Sequence, residues 1–312
     1  MNNKVTIVLV GAGNIGRRHL QGLMLSNVSY SIHVVDPFPQ SLATAKKDID
    51  VLDMGHHTVF YHSALNAIPA SVDIAIIATA ADIRMNVLRE LLSLSSIRYL
   101  ILEKVLFQRL EDFEEAAQLL ESKQVKAFVN CPRRYFPHYQ KLHAAAFSED
   151  WTMRVSGSNW GLACNAIHFI DLYNYLTDNT LSSFDTSNLE EQIVPSKRAG
   201  FIELNGKLQS TDNRFSVECL TEEGHPITVE LRNATQHIVI HEGQGQIDGF
   251  ASAYEALPLS KMAHLPVEQL LLNGSCNLTP YTISAALHKP FIAALSQFVK
   301  DKIDLKNGLP IT

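Results

Sequence analysis

Short apolar runs and helical patterns alternate over the first 130 residues of the chain. Lys4 to Val10 opens the series with β-branched residues. Val72 to Ala78 is almost continuously apolar, as expected of a parallel strand buried on both faces. Further strand-like runs lie at 31–35, 59–61, 99–102 and 126–130. This alternation predicts a doubly wound, Rossmann-type parallel sheet in residues 1–130.

The pattern changes after about residue 150, within a predicted second domain of residues 131–312. Residues 165–176 have helical periodicity, and Asn165 is the predicted N-cap of that helix. His168 would then be near the third residue of the helix, where the positive end of the helix dipole favours a neutral imidazole.

Period-two alternation from about residue 199 predicts an antiparallel sheet, so the second domain is expected to be α+β. The Asn205-Gly206 pair is predicted to form a hairpin turn within this sheet. A last helix is predicted over roughly 281–302, and Pro290 inside it should kink the helix or split it in two.

The sequence GAGNIG follows the first predicted strand and opens a helix, which is the context that a dinucleotide-binding glycine motif requires. Gly11 permits a tight turn, Gly13 lets the backbone approach a pyrophosphate, and Gly16 allows close packing of helix on strand. Asn14 and Ile15 lie at the helix start, whose N–H groups favour phosphate binding. A glycine motif alone is weak evidence, because glycine turns are common.

Asp36 ends the next predicted strand, twenty residues after Gly16, at the spacing of an acidic residue that binds an adenosine ribose. Its charge would repel a 2′-phosphate, so NAD is favoured over NADP; the alternative is an ordinary turn residue. Ligands of such sheets lie at the carboxyl ends of the strands. Ala78, Thr79 and Glu103 therefore join the predicted cofactor site.

Composition narrows the function classes. The chain is 46% hydrophobic and 19% charged, with a net charge of −6, which argues against nucleic acid or an anionic membrane as the main partner. No apolar window is long enough for a transmembrane helix, and the N-terminus lacks a signal-peptide pattern. The four cysteines lack zinc-ligand spacing, so we expect a cytoplasmic protein without a metal site.

Four segments together resemble the Gfo/Idh/MocA family of sugar and cyclitol oxidoreductases. They read GAGNIGRRHL, ILEKV, CPRRYFP and CNAIHFIDLYNYL, and they follow the family's order over nearly the whole chain. The resemblance implies an NAD(P)-dependent oxidoreductase that acts on a secondary alcohol of a sugar, cyclitol or nucleotide-linked sugar. It also implies a homo-oligomer, a dimer or tetramer, with the antiparallel sheet as the subunit contact.

The resemblance further implies two catalytic residues. His168 would take the hydroxyl proton, and Lys104 would stabilise negative charge on the same substrate oxygen. Two departures bear on this assignment: Val105 stands where the family usually has proline, and Cys164 stands where it often has aspartate. The alternatives are a solvated lysine at a strand end and a core histidine.

Five more residues are candidates for substrate contact, and all lie in the same segments. They are Arg133, Arg134, Tyr135, Asn165 and Asp171. Asn165 could serve only as a helix cap, and one arginine could be a surface or interdomain contact. Asp171 could pack within the helix or lie close to His168, three residues before it.

Two other functions are compatible with the sequence. One is a catalytically weak NAD- and sugar-binding protein that acts as a sensor or scaffold, which the two departures would favour. The other is a sugar hydrolase or lyase that recycles its NAD in each turnover.

Overall fold

The computed structural model describes residues 4–52, 55–145, 150–250 and 258–312. Within these ranges the chain forms two compact units. The described part of the first lies within residues 4–107, 111–130 and 258–282, and that of the second within 108–110, 131–250 and 283–312. The first unit thus takes a late segment, 258–282, that the sequence pattern assigned to the second domain.

The strands, in chain order, are β1 (Val5–Val10), β2 (Tyr30–Val35), β3 (Thr58–His62), β4 (Ser71–Ile77), β5 (Ser96–Leu102), β6 (Lys126–Val129), β7 (Thr152–Ser158), β8 (Phe184–Pro195), β9 (Ile202–Ser210), β10 (Phe215–Leu220), β11 (Thr228–Arg232), β12 (His237–His241), β13 (Gln246–Asp248) and β14 (Thr279–Pro280). The helices are α1 (Asn14–Leu23), α2 (Pro39–Asp50), α3 (Ala81–Leu94), α4 (Leu110–Ser122), α5 (Pro137–Ala144), α6 (Leu162–Thr177), α7 (His264–Asn273) and α8 (Tyr281–Val299).

The first unit contains a seven-stranded sheet in the order β14-β6-β5-β4-β1-β2-β3. Its first six strands in chain order pair in parallel, and β14 adds to β6 in antiparallel orientation. The predicted Rossmann-type sheet is confirmed. Val10 pairs with Val35 and with Ile77, and Ile77 pairs with Leu102. The residues that follow these four strand ends therefore lie side by side along one edge of the sheet.

The second unit contains a mainly antiparallel sheet in the order β13-β12-β11-β7-β10-β9-β8, with β7 and β10 paired in parallel. Helix α6 packs on β9 and β10, and its apolar side covers the buried face of the sheet. The predicted fold class, a parallel-sheet domain followed by an α+β domain, is confirmed.

One local prediction in this unit is wrong. Asn205 and Gly206 lie inside β9 and form no hairpin turn. Gly206 has φ of +90° opposite the irregular part of β8 between Leu189 and Ile193, so its glycine serves an irregular strand pairing and not a turn. Helix α8 is continuous through Pro290. Of the two outcomes expected at this proline, the split therefore does not occur, and the kink stays a prediction.

The outer face of the second sheet is polar. Arg154 of β7 pairs in register with Glu230 of β11, and Lys207 of β9 pairs with Glu218 of β10. Such opposite charges on neighbouring strands suit a sheet face that contacts water. These charged positions give no apolar surface that a partner subunit would need to cover. The homo-oligomer therefore stays a prediction, which light scattering can test.

Within the described ranges, no helix combines the length and the apolar character needed to cross a bilayer. The same ranges contain no group of three or more His, Cys, Asp or Glu side chains that could hold a metal ion.

Candidate cofactor and active site

The glycine loop between β1 and α1 has the geometry that close approach of a phosphate requires. Gly11 has φ of +97°, and a Cβ there would lie 3.0 Å from the Ala78 carbonyl carbon. A Cβ on Gly16 would lie 1.8 Å from the Gly11 carbonyl oxygen, so helix and loop can pack only around glycine. A Cβ on Gly13 would meet no atom within 4 Å, which leaves this exposed backbone open to a ligand.

Asn14 and Ile15, the first two residues of α1, are exposed beside this loop. The Asn14 side-chain oxygen accepts a hydrogen bond from Arg17 at 2.8 Å, and Arg17 also pairs with Asp48 of α2. The helix start is thereby braced against α2. Its first N–H groups lack partners within the helix, as at any helix N-terminus.

Asp36 follows β2 and is held rigidly by the backbone. One carboxylate oxygen accepts the Ala12 N–H at 2.7 Å, and the other accepts the Phe38 N–H at 2.9 Å. Asp36 is 7% exposed, and each of its carboxylate oxygens retains a lone pair for a ribose hydroxyl. The acidic residue and the glycine loop thus form one hydrogen-bonded unit.

Thr79 follows β4 next to Ala78, in the row of strand ends. Its side-chain hydroxyl is buried, and no hydrogen-bond partner for it exists among the described residues. Buried polar atoms normally have a partner. A bound dinucleotide or substrate would supply one, so Thr79 and the glycine loop fit such a ligand.

Glu103 follows β5 and is buried in a polar cluster. Its carboxylate contacts His19 Nε2 at 2.7 Å and accepts a hydrogen bond from Asn130 at 2.6 Å. Burial alone would raise the pKa of Glu103. The contacts with His19 and Asn130 and the charge of Lys104 outweigh burial and lower that pKa below its usual value. Glu103 therefore ties α1 to the ends of β5 and β6 as a carboxylate.

Lys104 is the next residue and is half-buried. The Lys104–Val105 peptide bond is cis, and Val105 is fully buried. The segment after β5 thus anchors an apolar side chain in the core beside the lysine. Sequence reasoning missed the residue that holds this segment, Arg84 of α3, whose contacts are described below.

In the second unit, α6 starts earlier than the sequence pattern predicted. It begins at Leu162 after Gly161, which has φ of +75°, so Asn165 is the fourth residue of the helix and not its N-cap. The Asn165 amide instead donates to the Trp160 carbonyl at 2.7 Å. His168 is therefore the seventh residue, half-buried and beyond the first turn. The helix dipole no longer explains a neutral imidazole there, because its effect fades within one turn.

Glu203 of β9 caps the start of α6, which sequence reasoning also missed. Its carboxylate accepts the N–H of Ala163 at 2.9 Å and that of Cys164 at 3.3 Å. A negative charge at a helix N-terminus is stabilising. The buried Cys164 thus lies next to a carboxylate supplied by a strand forty residues away, and no local signal could have revealed it.

Asp171 pairs with Arg134. The Arg134 guanidinium donates to both Asp171 carboxylate oxygens, at 2.8 and 3.0 Å, and to the Asn174 side chain at 3.2 Å. Asp171 is 1% exposed. The structure thus pairs this carboxylate with an arginine of the segment that follows β6.

Arg133 forms a second ion pair in the same unit. It donates to both carboxylate oxygens of Glu242, at 2.9 and 2.6 Å, and Tyr139 donates to Glu242 at 2.9 Å. Burial opposes ionisation of Glu242, but Arg133 lowers its pKa below the usual range. Tyr135, the remaining predicted substrate residue of this segment, is buried.

Comparison with protein families finds one match, which lies in the first part of the chain. Residues 5–131 match the oxidoreductase family with an NAD-binding Rossmann fold, Gfo/Idh/MocA. Over these residues the chain is similar to that family, which confirms the resemblance seen in the sequence for this part of the chain. A search of curated proteins returns no match.

Solved structures share the fold over nearly the whole chain. Scyllo-inositol dehydrogenase from Lactobacillus casei, with bound NAD(H) and scyllo-inositol, is 17% identical with a TM-score of 0.69 and covers 96% of this chain and 98% of its own. The WlbA dehydrogenase from Bordetella pertussis, in complex with NADH and UDP-GlcNAcA, is 15% identical with a TM-score of 0.70 and the same coverage. A super-repressor mutant of Gal80p from Saccharomyces cerevisiae is 13% identical with a TM-score of 0.67 and covers 96% and 97%. At these identities the likeness shows the fold alone.

Proposed function

We propose that this protein is an NAD-dependent oxidoreductase that oxidises or reduces a secondary alcohol of a sugar, cyclitol or nucleotide-linked sugar. The observation that carries the proposal is the row of strand ends in the first unit. It aligns the glycine loop, Asp36, Thr79 and the Glu103-Lys104 pair along one edge of a parallel sheet. Ligands of such sheets bind at this edge.

The residues of that row would hold the cofactor. The glycine loop and the start of α1 suit the pyrophosphate, and Asp36 suits a free ribose hydroxyl, which favours NAD over NADP. Bound NAD supplies the acceptor for the substrate hydride. The proposed cofactor residues are Gly11, Gly13, Asn14, Ile15, Gly16, Asp36, Ala78, Thr79 and Glu103, with Glu103 acting through its buried hydrogen bonds.

Two residues carry the proton chemistry in this proposal. His168 accepts the proton of the substrate hydroxyl, and Lys104 donates a hydrogen bond to the same oxygen as negative charge develops on it. Lys104 follows Glu103, which His19 and Asn130 hold at the end of β5. The lysine backbone is therefore anchored at the strand edge where we propose that the cofactor and substrate bind.

The proposed substrate residues would either contact the substrate or order the residues around it. Asn165 lies on α6 with His168, and Tyr135 directly follows Arg134, so we propose that both contact the substrate. Arg133 and Arg134 each hold a carboxylate in a bidentate ion pair, so we propose that they order the substrate region. Asp171 supports that order through Arg134.

A screen of sugar, cyclitol and nucleotide-sugar alcohols with NAD tests the function. The dehydrogenase proposal predicts one NADH formed for each ketone formed, read by NADH absorbance and product analysis. Product without net NADH would instead support an NAD-recycling hydrolase or lyase. Binding of NAD and an alcohol without any product would support the sensor, which Cys164 at the carboxylate position of the family favours.

A further inference from the structure

Arg84 of α3 is a buried cation, with only 1% of its surface exposed. Its guanidinium donates to the Leu106 carbonyl at 2.9 Å and also to the carbonyls of Val105 and Thr79. One side chain thus joins the backbone that follows β4 to the backbone that follows β5. Both segments belong to the row of strand ends that carries the proposed site.

Packing alone does not explain why position 84 is an arginine, because burying a cation is energetically unfavourable. A buried cation loses its hydration, and carbonyl dipoles must replace it. Leu88 and Leu91, one and two turns further along α3, are fully buried on the same side of the helix. An apolar residue at 84 would continue that stripe, so the sequence itself marks Arg84 as an exception.

The geometry of the acceptors explains why the exception is an arginine. A guanidinium is planar and presents several N–H donors in a fixed fork, whereas an ammonium is a compact point charge. Three carbonyls on two separate segments need donors that point in different directions at fixed spacing. Arginine therefore sets the distance between the two segments.

We propose that Arg84 is a positioning residue that fixes the Lys104–Leu106 segment relative to Thr79. Lys104 directly precedes Val105, whose carbonyl Arg84 holds. The contact limits how far the lysine backbone can shift, so that the ammonium stays directed at the substrate oxygen. This inference rests on the proposed function, in which Lys104 contacts that oxygen.

The test uses the full-length protein with Arg84→Lys and Arg84→Met. Arg89→Met is the matched control, because Arg89 lies on the same helix but pairs with Glu115 at a partly exposed site. The first readout is the rate at which an amine-reactive reagent labels Lys104, measured by mass spectrometry relative to exposed Lys46 in the same molecule. The second is kcat with the alcohol found in the screen, and the third is the Kd for NAD from fluorescence.

In Arg84→Met we expect Lys104 to be labelled at least about threefold faster relative to Lys46, because the segment opens locally. We expect kcat to fall about 10²-fold, as for a small displacement of a reacting group, with the Kd for NAD changed by less than about threefold. Arg84→Lys should lie between wild type and Arg84→Met in both readouts. In an additional variant, Arg84→Ala, millimolar guanidinium should restore part of kcat.

Unchanged labelling and unchanged kcat in both Arg84 variants would overturn the proposal, as would equal effects from Arg89→Met. Should Arg84→Met fail to fold, the labelling ratio and kcat of Arg84→Lys show whether Arg84 positions the Lys104–Leu106 segment. Should wild type oxidise no alcohol, the proposed function fails, and the Lys104 labelling ratios alone still decide whether Arg84 positions the segment.

Discussion

Replacing Asp171 with alanine tests whether this carboxylate is structural or catalytic. The substitution removes both oxygens that hold Arg134 at 2.8 and 3.0 Å and leaves a guanidinium buried beside Asn174. Arg134 is 8% exposed, so water cannot readily replace the lost carboxylate. The structure therefore predicts a loss of stability that precedes any effect on chemistry.

The magnitude follows from the burial of the pair. Removing one partner of a buried ion pair costs about 3–5 kcal/mol. For a unit of this size, 1 kcal/mol lowers Tm by about 2–4 °C, so Asp171→Ala should lower it by roughly 6–20 °C. The exposed pair of Arg89 and Glu115 provides the control, because Glu115→Ala should cost about 0–1 kcal/mol.

Thermal and urea unfolding of the two variants, each with kcat measured below its transition, is the assay. The double variant Arg134→Met, Asp171→Leu should recover most of the lost stability, because apolar residues can replace a buried pair. Normal stability in Asp171→Ala combined with a large loss of kcat would refute the structural reading. It would instead support direct assistance to His168.

Three further predictions concern the cofactor, acid stability and the start of α6. NAD should bind at least about tenfold more tightly than NADP, and Asp36→Ser should reduce this difference in affinity. Equal affinities of the wild type for the two cofactors would contradict the assignment of Asp36 to the ribose. Burial lowers the pKa of His138 to about 4. As the pH falls, His138 therefore takes up its proton in the unfolded chain before it does so in the folded one. The free energy of unfolding should fall as pH drops from about 6.5 to about 4. His138→Gln should flatten this part of the pH profile of stability, and an unchanged profile would exclude His138 as its source. Cys164→Asp should be neutral or lower kcat up to about tenfold, because Glu203 already places a negative charge on that helix end; a clear gain in kcat would show that the enzyme lacks a needed carboxylate.

The parallel sheet could be predicted from the sequence because each of its strands carries its own signal. A buried strand such as Val72 to Ala78 is apolar throughout, and the glycine motif fixes where the first strand ends. The residues at the strand ends then follow from chain order. Gly11, Asp36 and Thr79 could accordingly be named before any coordinates were known.

The partners of charged side chains could not be predicted in the same way. Arg133 meets a glutamate 109 positions later in the chain, and Glu203 reaches a helix start 39 positions earlier. Such pairs depend on how separate elements pack, and local periodicity carries no information about them. Glu103 was placed at the right strand end, but its burial with His19 required the packing of α1.

Arg84 is an intermediate case. Its position on the apolar side of α3 was visible in the sequence as a charge within a leucine stripe. The role of Arg84 could not be predicted, because the carbonyls of Thr79, Val105 and Leu106 that it contacts belong to the backbone, which no residue type marks. The prediction of the first residue of α6 was wrong for a related reason. Gly161 and the carboxylate of Glu203, which is distant in the sequence, determine where the helix begins, and the local polar residue Asn165 does not.

The rate of hydride transfer in a single turnover, measured for wild type, Lys104→Met and His168→Asn, tests the central claim most directly. NAD should bind all three proteins with similar affinity, since the glycine loop and Asp36 are untouched. The account predicts that NADH formation slows by about 10²–10⁴-fold in each variant, as for loss of a proton-transfer or oxyanion partner. Wild-type rates in both variants would contradict the account.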